Sequence, residues 1–469
     1  MPLNSDSPLP TSGPPAAQGN TGFLARLSGH SGDSTVIRQR LGSIAHLLTG
    51  NVTNAVIMLI GTVVAARTLG ASTYGVFALV LTVCRISERL LRFESWQPLI
   101  RFAAQEEISG NPQRRSQLFL YGLLLDVCSA VLAAILAIAG GYALMPLLNL
   151  QPEHLPLIAI YAVAISVNIR GMPTAALRLS GQFRTMAYVQ IFSSLLRLSL
   201  ASLALIFKAD LLTFVLIWTA AQMIDSLLFL WLGFRALASL GIPNPLRAEL
   251  RGMTAKFPSF MKFAWSTNIS SGLRTLTQEA DTLLVGAMAG TAAAGFYHIA
   301  KRMAKVAQQV GDMVQAVLYP DMARLWARSE IASFRHLVGR IQLALAAVGL
   351  ALLGACWLVG NWLINVFFGK EFAATYPLLI AQLIAVILIM HAAPSRSALL
   401  AMNRPGLILL VAVLSTGLFF AVAFVAMPIY GAIGANFAHI AFAALTALAL
   451  DFAWWRGSRE PREPPTTLA

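Results

Sequence analysis

Gly406–Pro428 reads GLILLVAVLSTGLFFAVAFVAMP, 23 consecutive residues without a charged side chain. As a helix such a run is about 34 Å long, at about 1.5 Å per residue. That is enough to cross a hydrocarbon layer roughly 30 Å thick. A helix closes its own backbone hydrogen bonds, so it is the form such a run takes in lipid. Similar runs recur along the chain. They predict spans at 42–66, 73–95, 117–144, 155–175, 185–207, 211–234, 262–288, 292–318, 340–364, 374–400, 406–428 and 431–455. The expectation is an all-α integral membrane protein of twelve transmembrane helices. The alternating period of an outer-membrane strand is absent, which argues against a barrel.

Composition agrees. Hydrophobic residues make up 57% and charged residues 12% of the 469, and mean hydropathy is +0.70. A soluble chain of this length needs more charge to cover its surface. The net charge is +14, which first suggests nucleic acid. A membrane accounts for it better, because cytoplasmic loops collect Arg and Lys. With the N-terminus inside, the inside segments carry 23 of the 34 basic residues and the outside loops only Arg67, Lys208 and Lys370. Both termini are therefore expected in the cytoplasm. Cys84, Cys128 and Cys356 have no metal-ligand spacing and read as buried apolar thiols. No metal or cofactor is expected.

Residues 1–40 are rich in Pro, Ser and Gly and read as a disordered cytoplasmic tail. Residues 456–469 form a second polar tail. Between them the chain repeats itself. Leu69-Gly70, Gly75-Val76-Phe77 matches Ala289-Gly290, Gly295-Phe296-Tyr297 at an offset of 220. Pro98 with Arg101 matches Pro320 with Arg324, and Arg184 matches Arg404. Two six-helix bundles in parallel orientation follow, 41–234 and 262–455, joined by a cytoplasmic linker at 235–261. Parallel repeats of this kind are typical of secondary transporters, with the substrate site between the halves.

The stretches EADTLLVGAMAGTAAAGFYHIAKRMAKV (279–306) and AVLYPDMARL (316–325) resemble polysaccharide-type flippases. These belong to the multidrug, oligosaccharidyl-lipid and polysaccharide exporter superfamily. LGASTYGVFALV (69–80), ALRLSGQFRTMAYVQIFSSLLRLSL (176–200) and IYGAIGANFAHIAF (429–442) are similar to other parts of the same family. The likeness covers about residues 41–455. It implies a V-shaped pair of bundles in the cytoplasmic (inner) membrane. It also implies movement of an undecaprenyl-diphosphate-linked oligosaccharide to the outer leaflet, for O-antigen or exopolysaccharide synthesis. Membrane lipid and the lipid-linked oligosaccharide are the implied partners, with a polymerase and glycosyltransferases as neighbours in the pathway.

Charges inside spans carry the chemistry, since an ionisable group at a helix centre costs about 2.5–3.5 kcal/mol on insertion scales. Span two holds Arg85, Glu88, Arg89 and Arg92, with the three arginines on one face. Span eight holds Lys301, Arg302, Lys305 and Asp312, and span seven holds Arg274, Glu279 and Asp281. Lys305 lies 220 positions after Arg85. Arg85, Arg89, Arg92, Arg274, Lys301, Arg302 and Lys305 are the candidate substrate-binding residues, as a cationic cavity for a diphosphate. The alternative is that some of them pair with Glu88, Glu94, Asp281 and Asp312 or lie in cytoplasmic helix extensions. Arg197 in span five is a further candidate. Asp126, Asp225 and Asp281 are candidates for coupling to a proton or Na⁺; for the first two, a neutral form or hydrogen bonding to neighbouring helices is an equal alternative. His298 reads as a cavity residue rather than a metal ligand.

No G-x-x-x-x-G-K-[ST] or G-x-S-x-G is present, so neither an ATPase nor a serine hydrolase is expected. Three rivals remain at this level: a drug or cation antiporter of the same superfamily, a major-facilitator transporter, and a membrane polysaccharide polymerase. The charge alternation generates a direct test. Reporter fusions after Arg115, Arg251 and Arg335 should signal cytoplasm, and fusions near Glu153 and Lys370 the far side. A far-side signal at Arg251 would end the twelve-span, N-in arrangement.

Overall fold

The computed structural model describes residues 34–93, 95–108, 111–249 and 251–459. Of those, the side chains of 34–52, 107–108, 253, 255, 266–267, 269–277 and 310–321 are not described. Glu94, Arg274, Asp312, Pro320 and most of both tails thus lie outside the described residues.

Among the described residues the chain is helical and has no strand. The first half comprises α1 (Ser34–Leu91), α2 (Trp96–Ile108), α3 (Pro112–Leu144), α4 (Leu155–Ser166), α5 (Gly171–Leu179), α6 (Phe183–Ile206) and α7 (Leu211–Ser239). The short α8 (Met253–Lys256) lies in the linker. The second half comprises α9 (Phe260–Ala289), α10 (Thr291–Ala327), α11 (Ile331–Phe367), α12 (Thr375–Ala401), α13 (Pro405–Tyr430) and α14 (Ala432–Gly457). Nine segments of the described residues are long and apolar enough to cross a membrane. The helices α9 and α10 are not among them, because polar and charged side chains interrupt both. Their outer surfaces elsewhere are apolar: Leu343, Leu358 and Leu448 are each more than 70% exposed. Water would not tolerate so continuous an apolar surface; lipid does.

Two features of the backbone position the site. The first is a turn made twice. Gly70 breaks α1 at φ 73°, ψ 170°, and Gly290 separates α9 from α10 at φ 88°, ψ 173°. Both torsions lie where a Cβ is strongly disfavoured. The second is a break in the expected span 155–175, where Asn168–Arg170 leave the helix between α4 and α5. Pro173 in the first turn of α5 cannot donate a backbone hydrogen bond, so a helix can start there but not run through.

The helix α1 packs on α3 and α6 within its own half and on α9 and α10 of the other. One apolar core, holding Tyr74, Leu79, Val285 and Tyr297, is shared by both halves at the end where Gly70 and Gly290 turn. A separate core, with Leu99, Leu118, Phe257 and Phe260, closes the opposite, linker end of the first half. The linker belongs to that core. Ser116 Oγ donates to the Pro243 carbonyl (3.1 Å) and Lys256 Nζ to Gln117 Oε1 (2.8 Å). Helix α7 runs to Ser239, beyond the expected start of the linker at 235. The cysteines differ from expectation: Cys84 is buried, but Cys128 is exposed on an outer face of α3 and Cys356 is half-buried. Their helical phase, rather than their apolar neighbours in sequence, decides this.

The halves meet almost backbone to backbone. A Cβ on Gly75 would lie 1.8 Å from the Thr291 carbonyl oxygen, and one on Gly295 would lie 3.2 Å from Gly75 Cα. Gly75→Val should therefore force α1 and α10 apart and destabilise the protein by about 1–3 kcal/mol, as overpacking does. Gly140→Ala, where a Cβ meets open space, should be neutral or stabilising by about 0.5–1 kcal/mol. Unfolding of the two purified variants in detergent checks this. Equal stability would mean that the close approach is absent.

Candidate functional site between the halves

Ten residues beyond Gly75, α1 carries Arg85 to the seam between the halves. Its Nη1 donates to Glu279 Oε2 of α9 at 3.1 Å. Lys301 Nζ of α10 lies 4.0 Å from the same oxygen and 2.7 Å from Asp281 Oδ1. One acid thus faces a cation from each half. Glu279 is also within electrostatic reach of Arg89 and Lys305, which are exposed and have no hydrogen-bond partner among the described residues.

Asp281 is fully buried and saturated with donors. It accepts from Lys301 Nζ, from the Tyr297 hydroxyl (2.9 Å) and from its neighbour's backbone at Thr282 (2.6 Å), and it shares a hydrogen bond with His439 Nε2 of α14 (2.8 Å). Such a carboxylate is tolerated in a low-dielectric interior because every lone pair is occupied. Tyr74 of α1 shares a 2.8 Å hydrogen bond with His298 Nδ1 of α10, a second polar link between the halves. Arg302 Nε lies 3.4 Å from His298 Nε2, and no ion pair holds its guanidinium among the described residues. Arg197 of α6 stands over the Trp218 ring at 5.5 Å and makes a long contact with Gln222 at 3.4 Å. Arg85, Arg197 and Arg302 are within electrostatic reach of one another.

The structure therefore brings together Arg85, Arg89, Lys301, Arg302 and Lys305, and adds Arg197. Arg92 forms an i, i+4 pair with Glu88 (2.6 Å) inside the first half and lies within electrostatic reach of Arg89. Arg274 lies outside the described residues. The other two expected coupling acids have their direct partners within the first half. Asp126 accepts from Ser95 Oγ and from the Met172 backbone (2.6 Å), where α5 begins. Asp225 is ion-paired with Arg170, whose guanidinium also lies 4.8 Å from the Phe229 ring. Arg170 is one of the 23 basic residues that the sequence assigns to inside segments, although it falls within the expected span 155–175. The break between α4 and α5 instead turns it into the bundle, where its Nε donates to Asn168 Oδ1 at 2.8 Å. Asn168 in turn donates to Glu88 (2.7 Å).

Sequence reasoning missed Tyr74, Tyr297, His439, Asn168 and Arg170. Tyr297 and Tyr74 stand beside the repeated glycine turns, which was the available signal. A lone histidine in an apolar span, as at His439, was the other. A further missed group lies in the second half. There Asp451 of α14 accepts from Gln342 Nε2 (2.8 Å) and Ser395 Oγ and pairs with His391 Nε2 (2.9 Å).

With this geometry in place, comparisons with known proteins give one consistent picture. A family profile described as "Polysaccharide biosynthesis protein" matches residues 41–326. "Inner membrane protein YghQ" of Escherichia coli (strain K12) is 26% identical over 350 residues, 74% of this chain and 96% of that one. Among solved structures, a lipid II flippase MurJ in an inward closed conformation is similar with a TM-score of 0.69. The match is 13% identical and covers 87% of each chain. An inward-facing multidrug resistance transporter of the MATE family and MOP superfamily has a TM-score of 0.66 at 12% identity, covering 86% of this chain and 93% of that one. At such identities the likeness is one of fold.

The buried pair in the first half yields a prediction. Arg170→Met leaves Asp225 buried without its cation and should destabilise by about 3–5 kcal/mol. The double variant Arg170→Met, Asp225→Leu should recover most of that loss. Unfolding of both variants measures the difference, and equal losses would show that the pair is not coupled.

Proposed function

Because the chain belongs to the polysaccharide biosynthesis protein family, we propose that it flips an undecaprenyl-diphosphate-linked oligosaccharide across the cytoplasmic membrane by alternating access. The observation that carries this reading is the cation excess at the seam: Arg85, Arg89, Arg197, Lys301, Arg302 and Lys305 against Glu279 and Asp281. A diphosphate crossing a low-dielectric layer needs compensating charge near the midplane, since an unpaired ion there is costly. Arginine suits phosphate through its planar fork, and lysine adds a point charge on a flexible stem. A cationic drug would meet the wrong sign of charge, which places the antiporter reading second. Transporters of two parallel repeats hold substrate between the halves, and the contacts of Arg85 and Lys301 with Glu279 lie on that seam, which supports the reading.

In this reading the chain crosses the membrane twelve times with both termini inside. The nine apolar segments become ten when α1 is divided at Gly70, and α9 and α10 complete the set. The halves then touch on the outer side and the cavity faces the cytoplasm. Asp281 is the coupling acid best placed for the task, since it meets both the cavity lysine and His439. Asp126 and Asp225 would act only through the packing of the first half. Glycosyltransferases would supply the lipid-linked unit, and a polymerase making O-antigen or exopolysaccharide would consume it.

Replacement of Arg85, Arg302 or Lys305 by Ala should reduce translocation of a lipid-linked oligosaccharide in proteoliposomes tenfold or more. A charge-assisted contact of about 1.5–3 kcal/mol predicts a loss of that size. Arg85→Lys should restore part of the rate if charge alone serves. Arg456→Ala, at the end of α14, should leave the rate within about twofold. Normal rates in all three alanine variants would remove the diphosphate from the cavity and bring the antiporter forward.

A further inference from the structure

We propose that Glu279 is the resident counter-anion of the cavity, a carboxylate that occupies the diphosphate's place when the site is empty and latches the halves together until substrate displaces it. This rests on the anion-transport reading above. The geometry has three parts. Glu279 Oε2 stands between Arg85 of the first half, at 3.1 Å, and Lys301 of the second, at 4.0 Å. Both cations belong to the cluster that a diphosphate would seek. Glu279 itself is mostly buried, with a side chain 13% exposed, so it cannot simply be solvated if it loses both partners.

Displacement is possible because two further cations are at hand. Arg89 and Lys305 are exposed, have no hydrogen-bond partner among the described residues, and lie within electrostatic reach of Glu279. A displaced carboxylate can move toward them while the substrate takes Arg85 and Lys301. Asp281 cannot play this part. It is held on all sides by Lys301, Tyr297, His439 and its own helix. Its 2.7 Å contact with Lys301 holds that lysine at the seam.

The consequence is coupling between occupancy and opening. Arg85–Glu279 is an ion pair across the seam, in series with the Tyr74–His298 link and the glycine contact nearer the turns. Parting the halves at the Gly75 end breaks it. An empty cavity keeps the pair and stays shut there. A diphosphate removes it and lowers the barrier. After release, Glu279 reclaims Arg85, and the cavity returns with its cations neutralised rather than bare. A ligand that changes a two-state balance must bind the two states differently; here the difference arises because one state requires substrate to compete with Glu279.

The test uses the full chain in lipid nanodiscs with spin labels at Leu147 and Lys370, one on each half at the Gly75 end and both exposed. Undecaprenyl diphosphate is the probe and undecaprenol the uncharged control. Undecaprenyl diphosphate should lengthen the distance in the parent protein and undecaprenol should not. Glu279→Gln should show the long distance without ligand and bind the diphosphate about tenfold more tightly, the effect of losing one charged competitor. It should nevertheless transport more slowly, because release becomes limiting. Glu279→Asp keeps the charge with a shorter reach and should fall between, which guards against a Gln variant that fails to fold. If the parent binds the diphosphate and both variants match it in affinity and distance, the counter-anion is overturned and anion transport stands. If neither parent nor variants bind the diphosphate, the functional reading falls and takes the latch with it.

Discussion

Backbone contact between α1 and α10, at Gly75 and Gly295, sets the spacing of everything around it. Where no side chain separates two helices, their axes approach closely, and the residues one to three turns further along are brought within hydrogen-bond reach. Tyr74 then meets His298, and Arg85 meets Glu279. Were the helices a few ångströms further apart, as any side chain at position 75 would demand, those polar links would lengthen beyond useful range. In lipid, close packing through small residues replaces the hydrophobic effect as the source of helix association. The same contact therefore holds the halves together and aligns the ionisable groups of the seam.

The ionisable groups fall into two kinds by environment. In the first half, Asp126, Asp225 and Arg170 sit among hydrogen-bond donors or a direct counter-ion supplied by the irregular backbone between α4 and α5. They satisfy the free backbone and side-chain groups that such a break creates, which is the condition for irregular structure at membrane depth. At the seam, by contrast, cations outnumber acids among the described residues, and Arg89, Arg302 and Lys305 have no ion-pair partner among them. Like charges gathered in a low-dielectric site raise the energy of the empty state.

Much of this arrangement was legible in the sequence, and the limits have physical causes. The apolar runs located the helices, because the length needed to cross lipid is fixed by the bilayer and not by the fold. The repeat of Gly70 and Gly75 at Gly290 and Gly295 marked the turns and the contact, since only glycine serves at those torsions and spacings. Arg85 and Lys301, charges inside expected spans, both contact Glu279 between the halves. Pairing with Glu88 was the sequence's alternative for these cations, and Arg92 takes it, with Asn168 from another helix donating to the same Glu88 oxygen. Arg170 was misread because a broken span looks like a helix end in hydropathy. His439 and Tyr297 were invisible as partners of Asp281, since α14 is brought to α9 by packing alone and no local pattern links positions 158 residues apart.

The docked linker has a consequence for biosynthesis. Phe257 and Phe260 complete the apolar core that closes the linker end of the first half, together with Leu99, Leu118 and Tyr121. These phenylalanines follow α7 in the chain, so they leave the ribosome after all the helices they stabilise. Until they arrive, the first bundle has an unfilled cleft between α2, α3 and α5. Its assembly is therefore vectorial: helices inserted early wait for a linker segment made later, and that segment also begins the second bundle. The point at which the first bundle becomes fully packed is thus the point at which synthesis of the second has begun, which leaves little time for a half-molecule to expose its charged seam to the wrong neighbour.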